Sequence, residues 1–378
     1  MNHAVKFGIV GLGQAGGRLA DEFHALGYPT VLVNTSSQDI NPMKCPNKVI
    51  IGQGGAGRDT KAGDAAVTKH KDKIIAEVHK IFDNVERVLV VAGSSGGTGG
   101  GGVAALVDVL TDQLQYPVGV LTTLPLKSED ARSKKNTISV LRALTKKAIE
   151  GKLAPYILMD NEKIIQNYPN LSTLEFWNKA NDEVVKIFNL FNVLSARNSA
   201  YTSFDPADYK KVLSSGGLMI FGAMNVGNAT DEDSLSHALA ENLQTGLLAG
   251  GFNLVEATHA GLLIVGGNEL LSKMPRVAEE KAFSTMNRMM GNSGTVFKGV
   301  YNSDKLQHIE VLTMISGLNL PTARIRELVE ESNKHDVHFE KKAALKDVDD
   351  ILAEFGDAVP ESKVKESTEE KKDGQEKK

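Results

Sequence analysis

The sequence predicts an α/β fold: a parallel sheet with helices on both faces, joined by a long central helix to a smaller second α/β domain. Three observations carry this. Short β-branched runs alternate with stretches of 3.6-residue periodicity through the first half of the chain. Some of those runs, such as Arg87–Ala92, are almost continuously apolar, the pattern of strands covered on both faces. Glycine collects where strands hand over to helices, with 18 of the 36 glycines in the first 102 residues.

Taken in order, Val5–Val10 reads as a strand and Gln14–Leu26 as a helix. Thr30–Val33 and Val49–Ile51 are strand-like, and Asp64–Phe82 places Val67, Ile74, Ile75, Val78 and Phe82 near helical spacing. Arg87–Ala92, Val118–Leu124 and Tyr156–Met159 read as strands, with helices at Val103–Leu114 and Ala131–Ile149 between them. Leu174–Leu194 has no internal Gly or Pro and predicts the long connecting helix. Beyond a loop at Ser199–Pro206, helices are expected at Asp208–Leu213, Glu232–Leu248 and Met274–Met290. Strands are expected at Leu218–Ala223, Leu262–Val265, Val296–Tyr301 and Ile309–Ile315, in an order the pattern does not give. Pro321–Lys334 and Lys341–Phe355 read as helical. The expected organisation is residues 1–172, a connecting helix at 173–197, a second domain at 198–318, helices within 319–355 and a tail at 356–378. Thirteen of the last 23 residues are charged, too few apolar groups to offset ordering entropy, so the tail is expected to be disordered.

Composition excludes several classes. With 43 Lys+Arg against 47 Asp+Glu, the chain offers no bulk field for gripping nucleic acid directly. One cysteine excludes an internal disulfide framework and a multi-cysteine zinc site, and fits a reducing cytoplasm. No apolar run reaches the roughly 18 residues of a membrane span, and no signal peptide is read at the start, so no membrane association is expected.

The glycine loops carry the chemistry. Gly11-Leu12-Gly13-Gln14-Ala15-Gly16 follows a strand and opens a helix, where unpaired N–H groups and the helix dipole favour phosphate. A dinucleotide site would also need an acid at the end of the second strand, which instead ends in Val33-Asn34-Thr35, with Asp39 beyond it. A bare tight turn is the alternative. The run Gly93–Gly102 is seven-tenths glycine and reads as a backbone cradle for phosphate, or else as a flexible linker. It is no Walker loop, since no Gly-Lys-Ser/Thr occurs. A third stretch, Gly52–Asp59 with Gly57, either closes over a terminal phosphate, with Arg58 or Lys61 as countercharge, or is a surface loop.

Gly96-Gly97-Thr98-Gly99 with its flanking glycines resembles the signature loop of the tubulin/FtsZ GTPase superfamily, and the order of motifs is similar over roughly residues 5–320. The resemblance implies bound GTP or GDP with Mg²⁺, whose protein ligands it leaves unassigned. It implies phosphate contacts at Gly13, Gln14, Ala15, Gly16, Gly17 and Arg18 and at Gly96, Gly97, Thr98, Gly99 and Gly100. Asn34 lies in the similar strand-end segment. Glu129 falls at the ribose position, Asn161 and Asn181 at guanine-edge positions, and Trp177 at the stacking aromatic, whose alternative is a core ring. An Asn side chain offers both a donor and an acceptor to a base edge. Three positions depart from the pattern: Ser203, Gly100, and Ser133 with Arg132 beside it. Within the superfamily the motifs resemble the plasmid- and phage-borne TubZ branch.

Asp205 and Asp208 match the superfamily's catalytic loop; read alone, Asp205-Pro206 is a helix N-cap followed by proline. The resemblance implies that these carboxylates act on the nucleotide of the next subunit in a head-to-tail filament. It further implies segregation or positioning of plasmid or phage DNA through an adaptor at the C-terminal region. The alternatives are a division-type or structural filament, and a NAD-dependent oxidoreductase using Gly11–Gly16, against which Asn34 and the second glycine run speak.

Overall fold

The computed structural model describes residues 2–334 apart from 229, 247, 249 and 250. The expected helix at 341–355 and the tail at 356–378 lie outside the described residues. The chain opens with β1 (Phe7–Leu12), every residue of it buried, and turns at once into α1 (Gly13–Ala25). It continues through β2 (Thr30–Asn34), a single turn α2 (Ser37–Ile40), and β3 (Lys48–Ile50). The predicted helix at Asp64–Phe82 is two helices, α3 (Thr60–Lys69) and α4 (Lys71–Ile81), hinged at His70, which leaves helical geometry at ψ 18°. Asp59 starts α3 by accepting the Lys61 and Ala62 amides. Next come β4 (Arg87–Gly93), α5 (Gly97–Gln113), β5 (Val118–Leu124), α6 (Ala131–Ile149), β6 (Tyr156–Asp160) and α7 (Asn161–Asn167).

The long helix α8 (Thr173–Leu194) begins in a capping box: Ser172 accepts the Glu175 amide and Glu175 reaches back to the Ser172 amide. Its buried face sets its position. Phe188 packs edge-on against Phe7 and Phe23 and tilts against Phe221, with centroids 5.2, 5.6 and 5.9 Å away. Asn192 exchanges two hydrogen bonds with the Val5 backbone, at 2.8 and 2.9 Å. Each fully buried ring contributes about 1.5–3 kcal/mol, so these contacts hold α8 against the start of the sheet.

The second half supplies α9 (Pro206–Ser214), β7 (Leu218–Val226), α10 (Ser234–Thr245), β8 (His259–Gly266), α11 (Asn268–Lys273), α12 (Arg276–Met289), β9 (Thr295–Asn302), β10 (Ile309–Leu318) and α13 (Thr322–Lys334). Its strands continue the first sheet instead of building a separate one. The sheet has ten strands in the order β3-β2-β1-β4-β5-β6-β7-β10-β8-β9. Strands β1 to β6 are parallel throughout. The junction is a short parallel register, Tyr156↔Leu218 and Ile157↔Met219. Beyond it β10 lies antiparallel to both β7 and β8. No described helix is long and apolar enough to cross a membrane.

Candidate functional site

Strands β1 and β4 are neighbours in register, with Leu12 beside Ala92, so the helices that follow them start side by side at one edge of the parallel sheet. Gly13 has φ +75°, and a Cβ there would lie 2.9 Å from the Gly99 amide nitrogen, so the two helix starts touch through glycine. Neither N-cap, Leu12 or Gly96, provides a side-chain acceptor, and neither first turn carries an acid. The first-turn amides of both helices therefore remain available to an anion.

A cavity of about 560 Å³ opens in front of them. Gly13, Gln14, Ala15 and Arg18 line it from α1, and Gly96, Gly97, Thr98 and Gly99 from the start of α5. Asn34, Gly57, Glu129, Asn161, Trp177 and Asn181 complete the expected set. Three expected residues do not line it: Gly16, Gly17 and Gly100. They are packing glycines. A Cβ on Gly16 would stand 2.1 Å from the Val91 carbonyl oxygen, one on Gly17 2.9 Å from the Met43 sulfur, and one on Gly100 2.2 Å from the Ser94 carbonyl oxygen. The run Gly97–Gly102 is not a loop either, but the first turn and a half of α5. Its glycines let α5 approach the chain ends around it: a Cβ on Gly101 would meet the Thr60 oxygen at 2.1 Å.

Polar contacts hold the cavity walls. The hydroxyls of Thr35 and Thr98 hydrogen-bond to each other at 2.6 Å, both buried. Asp39 accepts from Gln14 Nε2 and from Asn34 Nδ2, each at 3.3 Å. The sequence reading set Asp39 aside as lying beyond the strand; the α2 turn folds it back onto the cavity, and its five-residue spacing from Asn34 was the available signal. Arg58, at φ +61°, lines the cavity and forms an ion pair with Asp130, whereas Lys61 does not line it. Asn136 Nδ2 donates to the carbonyls of Arg58 and Ser95, both at 3.0 Å, tying the third glycine stretch to the second. Asp130 also caps α6 by accepting from the Ser133 amide; that bond, with Arg58 beside it, holds its carboxyl below the usual carboxylate range. Ser133 is buried and Arg132 is exposed outside the cavity lining. Glu129 Oε1 accepts from the Leu126 amide at 3.0 Å, fixing the loop between β5 and α6. Trp177 packs edge-on to Phe176, with centroids 5.0 Å apart.

One atom in the wall lacks a partner. Asn161, the first residue of α7 and only 6% exposed, has its Oδ1 buried with no hydrogen-bond donor. A buried acceptor left unpaired costs about 1–3 kcal/mol, so this position suits a ligand donor.

Asp205 and Asp208 lie outside the cavity lining. They form a reciprocal capping box at the start of α9: Asp205 Oδ1 accepts from the Ala207 and Asp208 amides at 2.8 and 2.9 Å, and Asp208 accepts from the Asp205 amide at 3.4 Å. Burial raises the Asp208 carboxyl above its ordinary value, and the charge of Asp205 adds to this. The loop before them hangs on β9. Ser199 Oγ donates to the Val300 carbonyl, the Val300 amide donates to the Thr202 carbonyl at 2.8 Å, and the Tyr301 hydroxyl both accepts from the Phe204 amide and donates to the Phe204 carbonyl at 2.9 Å. Ser203 Oγ accepts from the Ser199 amide at 3.3 Å.

Residues 6–169 match the tubulin/FtsZ family GTPase domain, and residues 190–329 match the C-terminal domain of tubulin/FtsZ-like TubZ-like proteins. The chain belongs to the tubulin/FtsZ family. The dinucleotide alternative raised by Gly11–Gly16 gives way to this membership. Tubulin-like protein TubZ of Bacillus cereus is 26% identical over 240 residues, which are 58% of this chain and 54% of that protein. The match thus spans about half the length of that relative. Tubulin-like protein CetZ of Pyrococcus furiosus is 25% identical over 375 residues, covering 93% of this tubulin/FtsZ-family chain and 97% of its relative. Among solved structures, a GTPγS-form protofilament of TubZ from Bacillus thuringiensis serovar israelensis superposes with a TM-score of 0.79 at 20% identity, over 90% of this chain and 94% of that one. The fold expected from the glycine motifs is the fold observed.

Proposed function

We propose that the chain binds and hydrolyses GTP in this cavity and assembles head-to-tail into filaments, each subunit's Asp205 and Asp208 completing its neighbour's site. The observation that carries the base identity is the unpartnered Asn161 Oδ1. The edge of guanine offers N–H donors where adenine offers a ring acceptor, so a buried acceptor favours guanine. Trp177 gives the base a ring face, Glu129 gives the ribose a carboxylate, and the two uncapped helix starts give the phosphates amide donors. No group of three or more His, Cys, Asp or Glu among the described residues could hold a metal. A cradle of amide donors fits Mg²⁺ that would be carried largely by nucleotide oxygens, with the Thr98 hydroxyl at the α5 start available to it; the ion would neutralise charge on the transferred phosphoryl group.

Asp205 and Asp208 are rigid because each holds the other's backbone, so they can present fixed carboxylates to an incoming water. Their place outside their own cavity suits action in trans, and a head-to-tail contact of this kind propagates without closing. The protofilament form of the Bacillus thuringiensis relative supports assembly.

The TubZ-like C-terminal domain, with the likeness to a TubZ of type III plasmid segregation, supports the reading that the filament segregates or positions plasmid or phage DNA through an adaptor protein docked at the C-terminal region. The second reading is a division-type or structural filament, since the match to the tubulin-like protein CetZ, outside the TubZ branch, extends across 97% of that protein. Light scattering and phosphate release after adding GTP with Mg²⁺, against ATP and NAD, test the core proposal. Both signals should rise with GTP alone; their absence at high protein concentration would sink it. Co-sedimentation of filaments with DNA, with and without a candidate DNA-binding adaptor, separates the two roles.

A further inference from the structure

The helix α13 grips the nucleotide cavity from behind through one buried arginine. Arg324 is 9% exposed, and its guanidinium makes three bonds. Nε donates to Asp160 Oδ2 at 3.0 Å, Nη2 donates to the Pro125 carbonyl at 2.8 Å, and Nη1 donates to Glu327 on its own helix at 2.9 Å. The first two partners do not line the cavity themselves but lie close along the chain to residues that do. Asp160 ends β6 and caps α7 by accepting the Glu162 amide at 3.1 Å, and the first residue of that helix is Asn161. Pro125 opens the loop whose Glu129 faces the same cavity. One planar fork therefore spans the joint between the base contact and the ribose contact.

Further contacts follow the helix at i+3 and i+7. Glu327 pairs with Lys127 at 2.5 Å, and Glu331 pairs with Lys134 at 2.9 Å. Lys134 is itself buried and donates to the Lys127 carbonyl at 2.7 Å, while the Lys127 amide donates to Glu162 at 3.0 Å. The 125–130 loop and the start of α7 are thus laced to each other through Glu162 and to α13, and Arg324 is a side chain from outside both that bonds to each.

We propose that Arg324 is a positioning residue for nucleotide recognition, fixing Asn161 relative to Glu129 so that preference for guanine depends on the seating of α13. The inference rests on the reading of the cavity as a GTP site. Arg324 bonds to Asp160, Glu327 and Pro125 and to neither of the helix starts, formed by Gly13 and Gly97, that would bind phosphate. Loss of the fork should loosen the base and ribose contacts and leave the phosphate cradle intact.

The test is equilibrium binding of GTP, ATP and inorganic tripolyphosphate to the full-length chain and its variants. Arg324→Met keeps the aliphatic stem and removes the fork. It should lower GTP affinity about tenfold, the scale of one charge-assisted hydrogen bond, while tripolyphosphate affinity stays within about twofold. Arg324→Lys keeps the charge but cannot reach both Asp160 and Pro125, and should restore part of the loss. If Arg324→Met does not fold, Asp160→Asn tests the same contact, because it retains an acceptor for the α7 cap and weakens the link to Arg324. Equal losses for GTP and tripolyphosphate, or no loss of GTP affinity, would overturn the proposal. A wild-type chain that binds tripolyphosphate yet shows no preference for GTP over ATP would instead overturn the reading of the cavity.

Discussion

The hydroxyls of Thr35 and Thr98 meet at 2.6 Å in the buried wall of the cavity, joining the segment after β2 to the first turn of α5. Neither helix nor strand requires that bond; it sets how far apart two cavity walls stand. Thr98→Val keeps the shape and strands the Thr35 hydroxyl. The expected cost is about 1–3 kcal/mol in chemical denaturation, together with weaker GTP binding, and Thr98→Ser should recover most of both.

Glycines of the second run should separate into two classes. In an open helix, Gly→Ala gains about 1 kcal/mol. At Gly100 the added methyl would stand 2.2 Å from the Ser94 carbonyl oxygen, and relieving that contact costs more than the helix gains, so Gly100→Ala should be net destabilising by about 1–3 kcal/mol. Gly96 has no atom within 4 Å of its Cβ position and an ordinary φ of −81°. Gly96→Ala should leave the denaturation midpoint in place and lower GTP affinity, since its methyl enters the cavity. Denaturation and binding measured on both variants check the contrast.

Asp208→Asn preserves an acceptor for the Asp205 amide and removes the carboxylate. GTP binding and assembly should persist while phosphate release falls by about a hundredfold. Loss of binding instead would show that the loop serves its own subunit's cavity. Because burial raises the Asp208 carboxyl, wild-type turnover should decline on acidification earlier than an ordinary aspartate would require.

Glu310 sits within β10, opposite Asn225 on one side and Val265 on the other, and burial raises its carboxyl above the usual glutamate range. The folded chain therefore holds this proton more tightly than the unfolded chain. Stability contributed by the protonated form is present below the ordinary glutamate range and is lost as pH rises through the folded value. Glu310→Gln should raise the thermal midpoint at pH 7, and the gain should shrink as pH falls. A midpoint lowered at pH 7 would contradict the assignment.

Much of this was legible in the residues. The parallel half announced itself because its strands are uniformly apolar and its contacts follow chain order, β4 to β5 to β6. The second half did not, because β10 inserts between β7 and β8 through pairings distant in sequence. His70 carries no Gly or Pro signal, so the break between α3 and α4 was invisible. The glycine run divides between cavity lining at Gly96, Gly97 and Gly99 and packing at Gly100 and Gly101. Its role as a phosphate cradle was read from composition, yet Gly100 and Gly101 are small because carbonyl oxygens of Ser94 and Thr60 occupy their Cβ space, a fact only three dimensions supply. Nothing near Asp160 in the sequence marks it, since its partner Arg324 lies 164 residues away.

Strand β9 closes one side of the ten-stranded sheet, and its outer rim would ordinarily be a row of free amides and carbonyls inviting a stray strand from another molecule. Here Ser199 and Thr202 take up that rim at Val300, whose carbonyl accepts from the Ser199 hydroxyl and whose amide donates to the Thr202 carbonyl. The segment before the two aspartates thus also covers part of the edge at which a further strand could add. An extra strand adding to this edge would have to displace the segment that leads directly into Asp205 and Asp208, so the loop's placement and the protection of the edge are one feature.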